Sequence, residues 1–466
     1  VDEPADDKAS DEPKTTSAAK DEVPAAKAPK RGLRARIGAG FRAALPTLVM
    51  ILVTLVLVDI VCFAADLFPT RYRKGSKELG FYETRGIPGG FDGFADVPEL
   101  ANVPEVKKYH RNEEGFFTTR SMSDWTNHPT GRRIVAVGDS HTELPYAFEK
   151  THMGVLETKL HEGGWPGAEV LGAGHGKWSP LQEMMLYDLR FRKLGVDVCL
   201  VNFYTGNDFY DLIRTDDRPH LVRAPDGGYA VAPPEWVAYY DPDTDPLWRQ
   251  SRILYLGFLG LERIGVSNLL DKTAYAMKAA DAFGKGMWDS VGYLNDLRLS
   301  QDPEVWYEAA YAAQLLNQAL FFQHFPGSHE ESLARARYVL ATTKREMEKK
   351  GDKALFVLSP IPSRILAQPD LADPIYDRIL ARLPLTKEIV FEREREGYEL
   401  LRTVAAETGW VFVDTLEALR GGEGMLYFPS DLHIAPAGSA LVGAAQAKRV
   451  TEAWNARAAA AAPPTP

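Results

Sequence analysis

Five short apolar runs, each beside a stretch of helical character, constrain the fold of this 466-residue chain most strongly. They fall at 133–138, 169–173, 197–203, 354–358 and 410–413. Strands that alternate with helices imply a central parallel sheet covered by helices on both faces, a three-layer α/β/α architecture of flavodoxin-like type. The helix ends are legible as well. Ser328-His329-Glu330-Glu331 reads as a capping box that opens a helix to about Lys350, and Gly351 ends it before Ala354-Leu355-Phe356-Val357-Leu358. Thr386–Thr408 reads as a second helix, stopped by Gly409 ahead of Trp410-Val411-Phe412-Val413. Ser179-Pro180-Leu181-Gln182 opens a third, with Ser179 as cap, Pro180 in the first turn and Gln182 completing the box.

Three peptides at the ends of these elements carry chemistry. Val137-Gly138-Asp139-Ser140-His141-Thr142 follows the run Ile134-Val135-Ala136-Val137, and a serine at the carboxyl end of a central strand sits where open α/β sheets place their ligands. Turns are rich in these residues, so this peptide by itself decides little. The second is Val201-Asn202-Phe203-Tyr204-Thr205-Gly206-Asn207-Asp208, another strand that ends in Gly-Asn-Asp. The third is Ser430-Asp431-Leu432-His433, followed by Pro436-Ala437-Gly438 and a helical run from Ser439. Read singly, Asn207 closes a turn and His433 starts a helix on the surface. Read together, the order Ser, Asn, then Asp and His resembles the SGNH (GDSL-like) hydrolase family over roughly residues 130–455.

The resemblance implies a division of labour. Ser140 is the nucleophile, His433 the general base and then acid, and Asp431 the carboxylate that fixes the imidazole tautomer. The oxyanion donors it implies are the Ser140 N–H, the Asn207 amide and a backbone N–H from the glycine block, Val170-Leu171-Gly172-Ala173-Gly174-His175-Gly176-Lys177-Trp178. That block departs from the family, because Gly172 stands where an asparagine is usual. The third donor therefore belongs either to Gly176 or to Lys177. His175 and Lys177 either line a substrate pocket or are polar loop residues. The last block departs too: Asp431-Leu432-His433 is one residue shorter than the usual Asp-x-x-His, which would place Ser430 at the acid position. The compact spacing resembles SGNH-like proteins that O-acetylate exported polysaccharides.

The ends of the chain bear on where it works. Residues 1–30 hold few large apolar side chains and read as disordered. The whole segment 1–42 is expected to be a disordered tail with a basic juxtamembrane end, and 456–466 a second disordered tail. The first residue is valine, so an initiator or an upstream piece is expected to be missing. From 43 to 68 the sequence is almost continuously apolar, and about 25 residues at ~1.5 Å each exceed the ~30 Å hydrocarbon layer, so one transmembrane helix is expected. Lys27, Lys30, Arg31, Arg34, Arg36 and Arg42 precede it, against Arg71, Arg73, Lys74 and Lys77 after it. That bias orients the N-terminus to the cytoplasm and the main domain to the periplasm or exterior, as a single-pass inner-membrane protein. Asp59 lies within the span, where a carboxylate either pairs with a neighbouring membrane protein or sits protonated or nearer the interface.

Residues 69–130 read as a connector, 131–455 as the catalytic domain, and about 215–330 as a mainly helical insertion, with runs such as 253–270 and 305–322, that is either core or a lid. The net charge of −10 and the lack of a basic stripe exclude a nucleic-acid partner. Two cysteines, Cys62 and Cys199, offer no disulfide and no metal spacing, so no metal and no cofactor is expected. Three functions follow in order. The first is a membrane-anchored serine esterase or deacylase acting on an ester, most naturally of a carbohydrate. The second is an O-acyltransferase that acetylates an exported polysaccharide beside a membrane-bound acyltransferase partner. The third is a non-catalytic membrane-anchored scaffold.

Overall fold

The structure is a computed structural model. It describes residues 33–64, 112, 115–118, 120–127, 131–144, 146–176, 178–213, 219–233, 328–370, 377, 380–381, 386–428 and 433–461. Two units divide the chain, residues 1–69 and 70–466.

The first unit holds helix α1, Leu33–Ala64. It starts inside the stretch expected to be a disordered basic end, because Leu33, Ala35, Arg34 and Arg36 are strong helix formers that let the apolar helix propagate backwards. Its side chains are described over 45–61, and the large apolar ones there are exposed all round, from Leu45 at 45% through Met50 at 68% to Val61 at 60%. Among the described residues no helix is long and apolar enough to cross a membrane.

The second unit is a three-layer sandwich. In chain order its main elements are α2 (Met122–Asn127), β1 (Arg132–Gly138), α3 (His152–Glu162), β2 (Ala168–Gly174), α4 (Pro180–Leu186), β3 (Val198–Tyr204) and α5 (Asp208–Asp211). There follow β4 (His220–Arg223), β5 (Tyr229–Ala232), α6 (Ser328–Lys349), β6 (Leu355–Ile361), α7 (Arg364–Ala367), α8 (Lys387–Thr408), β7 (Val411–Phe412), α9 (Thr415–Arg420) and α10 (Pro436–Ala461). Strands β2-β1-β3-β6-β7 form one sheet in that order, all parallel. The five strands expected from the sequence are these five, each shifted by no more than a few residues.

Successive strand residues point to opposite faces, and both faces are buried, which is why the strands read as continuous apolar runs. Val135, Val137, Leu171, Cys199 and Val201 pack against Leu181, Met184, Val339, Leu340, Leu401 and Val404 of α4, α6 and α8. Ile134, Ala136, Val170, Leu200 and Val357 face Met153, Leu156 and Leu160 of α3 and Val450 and Trp454 of α10. Helix α8 is capped by the Thr386 side chain, which accepts the Ile389 N–H, and ends at Gly409 with φ 72°.

Two features depart from expectation. Residues 220–232, within the insertion expected to be mainly helical, form a two-stranded antiparallel hairpin, β4 with β5, that turns at Asp226-Gly227 with Gly227 at φ 84°. Helix α10 continues to Ala461, past the point where a disordered tail was expected, since its last turns are alanine-rich. The rest of the insertion, 215–218 and 234–327, lies outside the described residues, as do 69–111 of the connector. Of the described connector residues, Phe117 bridges to Gly172 at the sheet edge and Trp125 is fully buried, its carbonyl accepting Arg133 Nε–H at 3.0 Å.

Candidate active site

Strand order 2-1-3 places the carboxyl ends of β1 and β3 at the point where the crossovers diverge to opposite sides, the usual position of a crevice in an open sheet. Gly138 ends β1 there and pairs with Gly174 of β2 and Asn202 of β3. Neither glycine tolerates a side chain. A Cβ on Gly138 would stand 2.1 Å from Thr142 Oγ1, and one on Gly174 2.5 Å from Thr142 Cβ. The chain therefore folds tightly back over the strand end, with Thr142 and Glu143 N–H groups both donating to the Asp139 carbonyl at 3.0 and 3.1 Å. Below the turn, Asn202 Nδ2 donates to Thr142 Oγ1 at 3.0 Å, and Gln446 Nε2 donates to Asn202 Oδ1 and Ser359 Oγ, both at 2.9 Å. This buried network ties the turn that bears Ser140 to β3, β6 and α10.

His433 is delivered from the other end of the chain. Its carbonyl accepts the Phe428 N–H at 3.0 Å, Ala435 N–H donates to the Leu426 carbonyl at 2.8 Å, and Tyr427 bridges to Ile434. Tyr146, buried just after the turn that bears Ser140, donates its hydroxyl to the Ile434 carbonyl at 3.0 Å and lies 2.6 Å from Ser439 Oγ. The segment bearing His433 is thus pinned to the segment that follows Ser140. The His433 ring lies 4.9 Å, centroid to centroid, from that of His141, Ser140's neighbour. The structure therefore brings Ser140 and His433 to one place. Asp431, with Ser430, lies outside the described residues, and so does Lys177.

Two of the candidate oxyanion donors, Gly176 and Asn207, are engaged by carboxylates of the chain itself. Gly176 N–H donates to Glu143 Oε2 at 2.7 Å, although Gly176 is close to Ser140: a Cβ on it would stand 3.6 Å from Ser140 Cβ. The Asn207 amide donates to Asp211 Oδ2 at 3.0 Å and also bonds the Asp139 carboxylate. Carboxylates hold N–H donors more strongly than neutral acceptors do, so these acids take the donors first in the resting site. His175 stacks on Trp178 with ring centroids 5.2 Å apart.

Sequence reasoning missed a group of acids beside the serine. Asp139, Glu183, Asp208 and Asp211 are all buried and lie within electrostatic reach of one another. Burial, with the neighbouring Asp139 and Asp211 charges, holds Glu183 well above the usual carboxylate range, and neither of its oxygens has a hydrogen-bond partner. Asp208 is raised for the same reasons, although its Oδ2 accepts the Tyr204 N–H at 2.8 Å. Burial thus favours the protonated form of both. Asp139 is pushed up by burial only to about 6, because the His141 N–H at 2.8 Å, the nearby His433 and the Asn207 amide all favour its charge. It is the member of this group placed to face His433 with a charge, and its Oδ2 lies 3.5 Å from Ser140 Oγ. The only signal in the sequence was its place at the strand end. No group of three or more metal-ligating side chains is arranged to hold an ion among the described residues.

No family model matches the chain, and no curated protein matches it either. Among solved structures, it is similar to a lipase/acylhydrolase from Enterococcus faecalis at 12% identity, covering 69% of this chain and 96% of that one with a TM-score of 0.33. An α/β hydrolase enzyme from the metagenome of Lake Arreo, Spain, aligns at 13% identity over 69% and 96%, with a TM-score of 0.31. An acetylxylan esterase from Geobacillus stearothermophilus aligns at 11% over 69% and 94%, with a TM-score of 0.30. Likenesses this loose assign neither fold nor activity to the chain; the three-layer architecture rests on its own strand order and packing.

Proposed function

We propose that this chain is a membrane-anchored serine hydrolase that cleaves esters, most naturally carbohydrate esters, through an acyl-enzyme on Ser140. The observation that supports the reading is the His433 ring 4.9 Å from that of His141, Ser140's neighbour, across some three hundred residues of sequence, with Tyr146 pinning one segment to the other. In this reading His433 removes the Ser140 proton as Oγ attacks the ester carbonyl, then returns it to the departing alkoxide. Water, activated by the same histidine, releases the acid. Asp431 orients the imidazole, and Asp139 adds a buried charge that favours the imidazolium. The oxyanion forms against the Ser140 N–H, the Asn207 amide and either the Gly176 or the Lys177 N–H, with Asn207 turning from Asp211 and Gly176, where it serves, from Glu143.

The tether is part of the proposal. A helix apolar on all sides and exposed on all sides, as α1 is over 45–61, calls for an apolar surround, and the span from 43 to 68 would supply a full membrane crossing with the catalytic unit outside the cytoplasm.

The short Asp431-Leu432-His433 spacing favours a second reading, in which a sugar hydroxyl instead of water takes the acyl group, supplied with a membrane-bound acyltransferase partner. One experiment covers both. The full chain is given an activated acetyl ester with and without acetyl-free xylo-oligosaccharide, and the acetyl group is followed by mass spectrometry. An acetyl adduct on Ser140 that decays to acetate supports hydrolysis, and decay to acetylated sugar supports transfer. No adduct in the wild type, or an equal adduct in Ser140→Ala, refutes the nucleophile.

A further inference from the structure

His141 is the one fully buried imidazole that touches the candidate base. Tyr204 stacks on it with ring centroids 3.7 Å apart at 23°, and His433 lies 4.9 Å away at 35°, so the two rings neighbour one imidazole. Neither ring nitrogen of His141 has a hydrogen-bond partner, and both are sealed from solvent. Such orphaned polar atoms cost stability and call for a reason. No ligand can reach the nitrogens, and no protein group meets them. What the ring offers to its surroundings is a flat, polarisable face.

We propose that His141 is a positioning residue that presents the face of a neutral ring to His433, fixing the plane of that imidazole and stabilising the imidazolium that forms when Ser140 gives up its proton. This rests on the serine-hydrolase reading above. Tyr204, stacked on the His141 ring at 3.7 Å, holds that ring in place. Cations are attracted to aromatic faces, most strongly where water is excluded. The arrangement needs His141 to stay uncharged, and burial, helped by the neighbouring His433 and His152, holds it well below the usual histidine range. His433 is the less buried ring of the pair. The other titratable groups around the pair are Asp139, whose carboxylate reaches His433, His152, whose Nε2 bonds the His141 carbonyl at 2.9 Å, and Tyr204 itself.

The test separates face from volume and from nitrogen. The full chain is labelled on Ser140 by a fluorophosphonate, and the labelling rate is followed from pH 5 to 9 in three proteins besides the wild type. His141→Leu keeps much of the volume without a π face; His141→Phe keeps a face without ring nitrogens; 3-thienylalanine at position 141 keeps a five-membered aromatic ring without them, for use if the larger Phe lowers Tm. The expected result is a plateau rate reduced about 3- to 30-fold in His141→Leu, with the acid limb moved to lower pH by roughly 0.5–1.5 units, because the imidazolium has lost its support. The aromatic replacements should restore both. An unshifted limb and unchanged plateau in His141→Leu would overturn the proposal. So would aromatic variants as impaired as the leucine one, since the nitrogens would then matter. Absence of wild-type labelling would sink the serine reading and this inference with it; normal wild-type labelling with an unaltered leucine variant sinks the inference alone.

Discussion

Asp139 is the most exacting test of the buried acid group, since its ionisation is coupled to folding by a calculable amount. Its pKa rises from 3.8 to about 6 on folding. The sign follows directly. Below pH 3.8 the carboxyl is protonated whether the chain is folded or not, so it exacts no penalty. Between pH 3.8 and about 6 the unfolded chain releases the proton while the folded one keeps it, and stability falls as pH rises; above about 6 the loss is complete. A shift of about two units corresponds to roughly 3 kcal/mol. Asp139→Asn removes this titration. Its Oδ1 can still accept the His141 N–H, and its new amide faces Ser140 Oγ and the Asn207 amide, which together add an offset that does not depend on pH. Urea unfolding of the full chain, read by the fluorescence of the buried Trp125, Trp178 and Trp410, should therefore show a stability difference, variant minus wild type, that grows by about 3 kcal/mol from pH 3.5 to 6.5 and then flattens. Coupling adds in the same direction, because Glu183 and Asp208 are held up in part by the Asp139 charge and ionise more easily without it. Parallel curves for the two proteins would show that Asp139 is not buried and unsupported as described, and the account of the acid group would fail.

Three further outcomes are expected. Glu143→Gln should keep ester turnover within about threefold, because its amide oxygen can still accept the Gly176 N–H, while Glu143→Ala should lose about tenfold in kcat with little change in KM; equal effects would mean the bond does not place the loop. Asn207→Ala should lower kcat by about 10²–10³, the loss of one oxyanion donor, and should destabilise the fold more at pH 7 than at pH 4, since Asp139 and Asp211 lose a donor to their charged forms; a rise in KM at unchanged kcat would make Asn207 a binding residue only. Protease added outside intact spheroplasts should digest the chain beyond residue 70 and spare the N-terminal tail, and the opposite pattern would reverse the proposed orientation.

The sheet was legible because its strands are buried on both faces. Runs such as Val135-Ala136-Val137 and Cys199-Leu200-Val201 have no polar alternation to confuse with helix, and each is closed by glycine or by a helix cap. The hairpin of 220–232 was missed for the opposite reason: it is a small, partly exposed ribbon whose β5 reads Tyr-Ala-Val-Ala, and its Asp226-Gly227 turn stood out while its strands did not. The basic flank of α1 was missed because charge was given more weight than the helix propensity of Leu, Ala and Arg.

The site shows a sharper division. A motif names the groups that face the substrate, so Ser140, Asn207 and His433 could be picked out by order along the chain. It is silent on the groups that face those groups. Glu183 sits in the first turns of a helix more than forty residues after the serine, and Asp208 and Asp211 look like ordinary helix-start acids, so only the fold shows that they converge with Asp139 in a water-free space. There burial favours the protonated carboxyl, and Asp139, with donors from His141 and Asn207, is raised only to about 6. Burial holds His141 well below the usual histidine range, while His433 beside it is only half-buried. Which residue titrates is thus set by depth below the surface and by the number of donors at hand, quantities that three-dimensional packing fixes and that no spacing of letters carries.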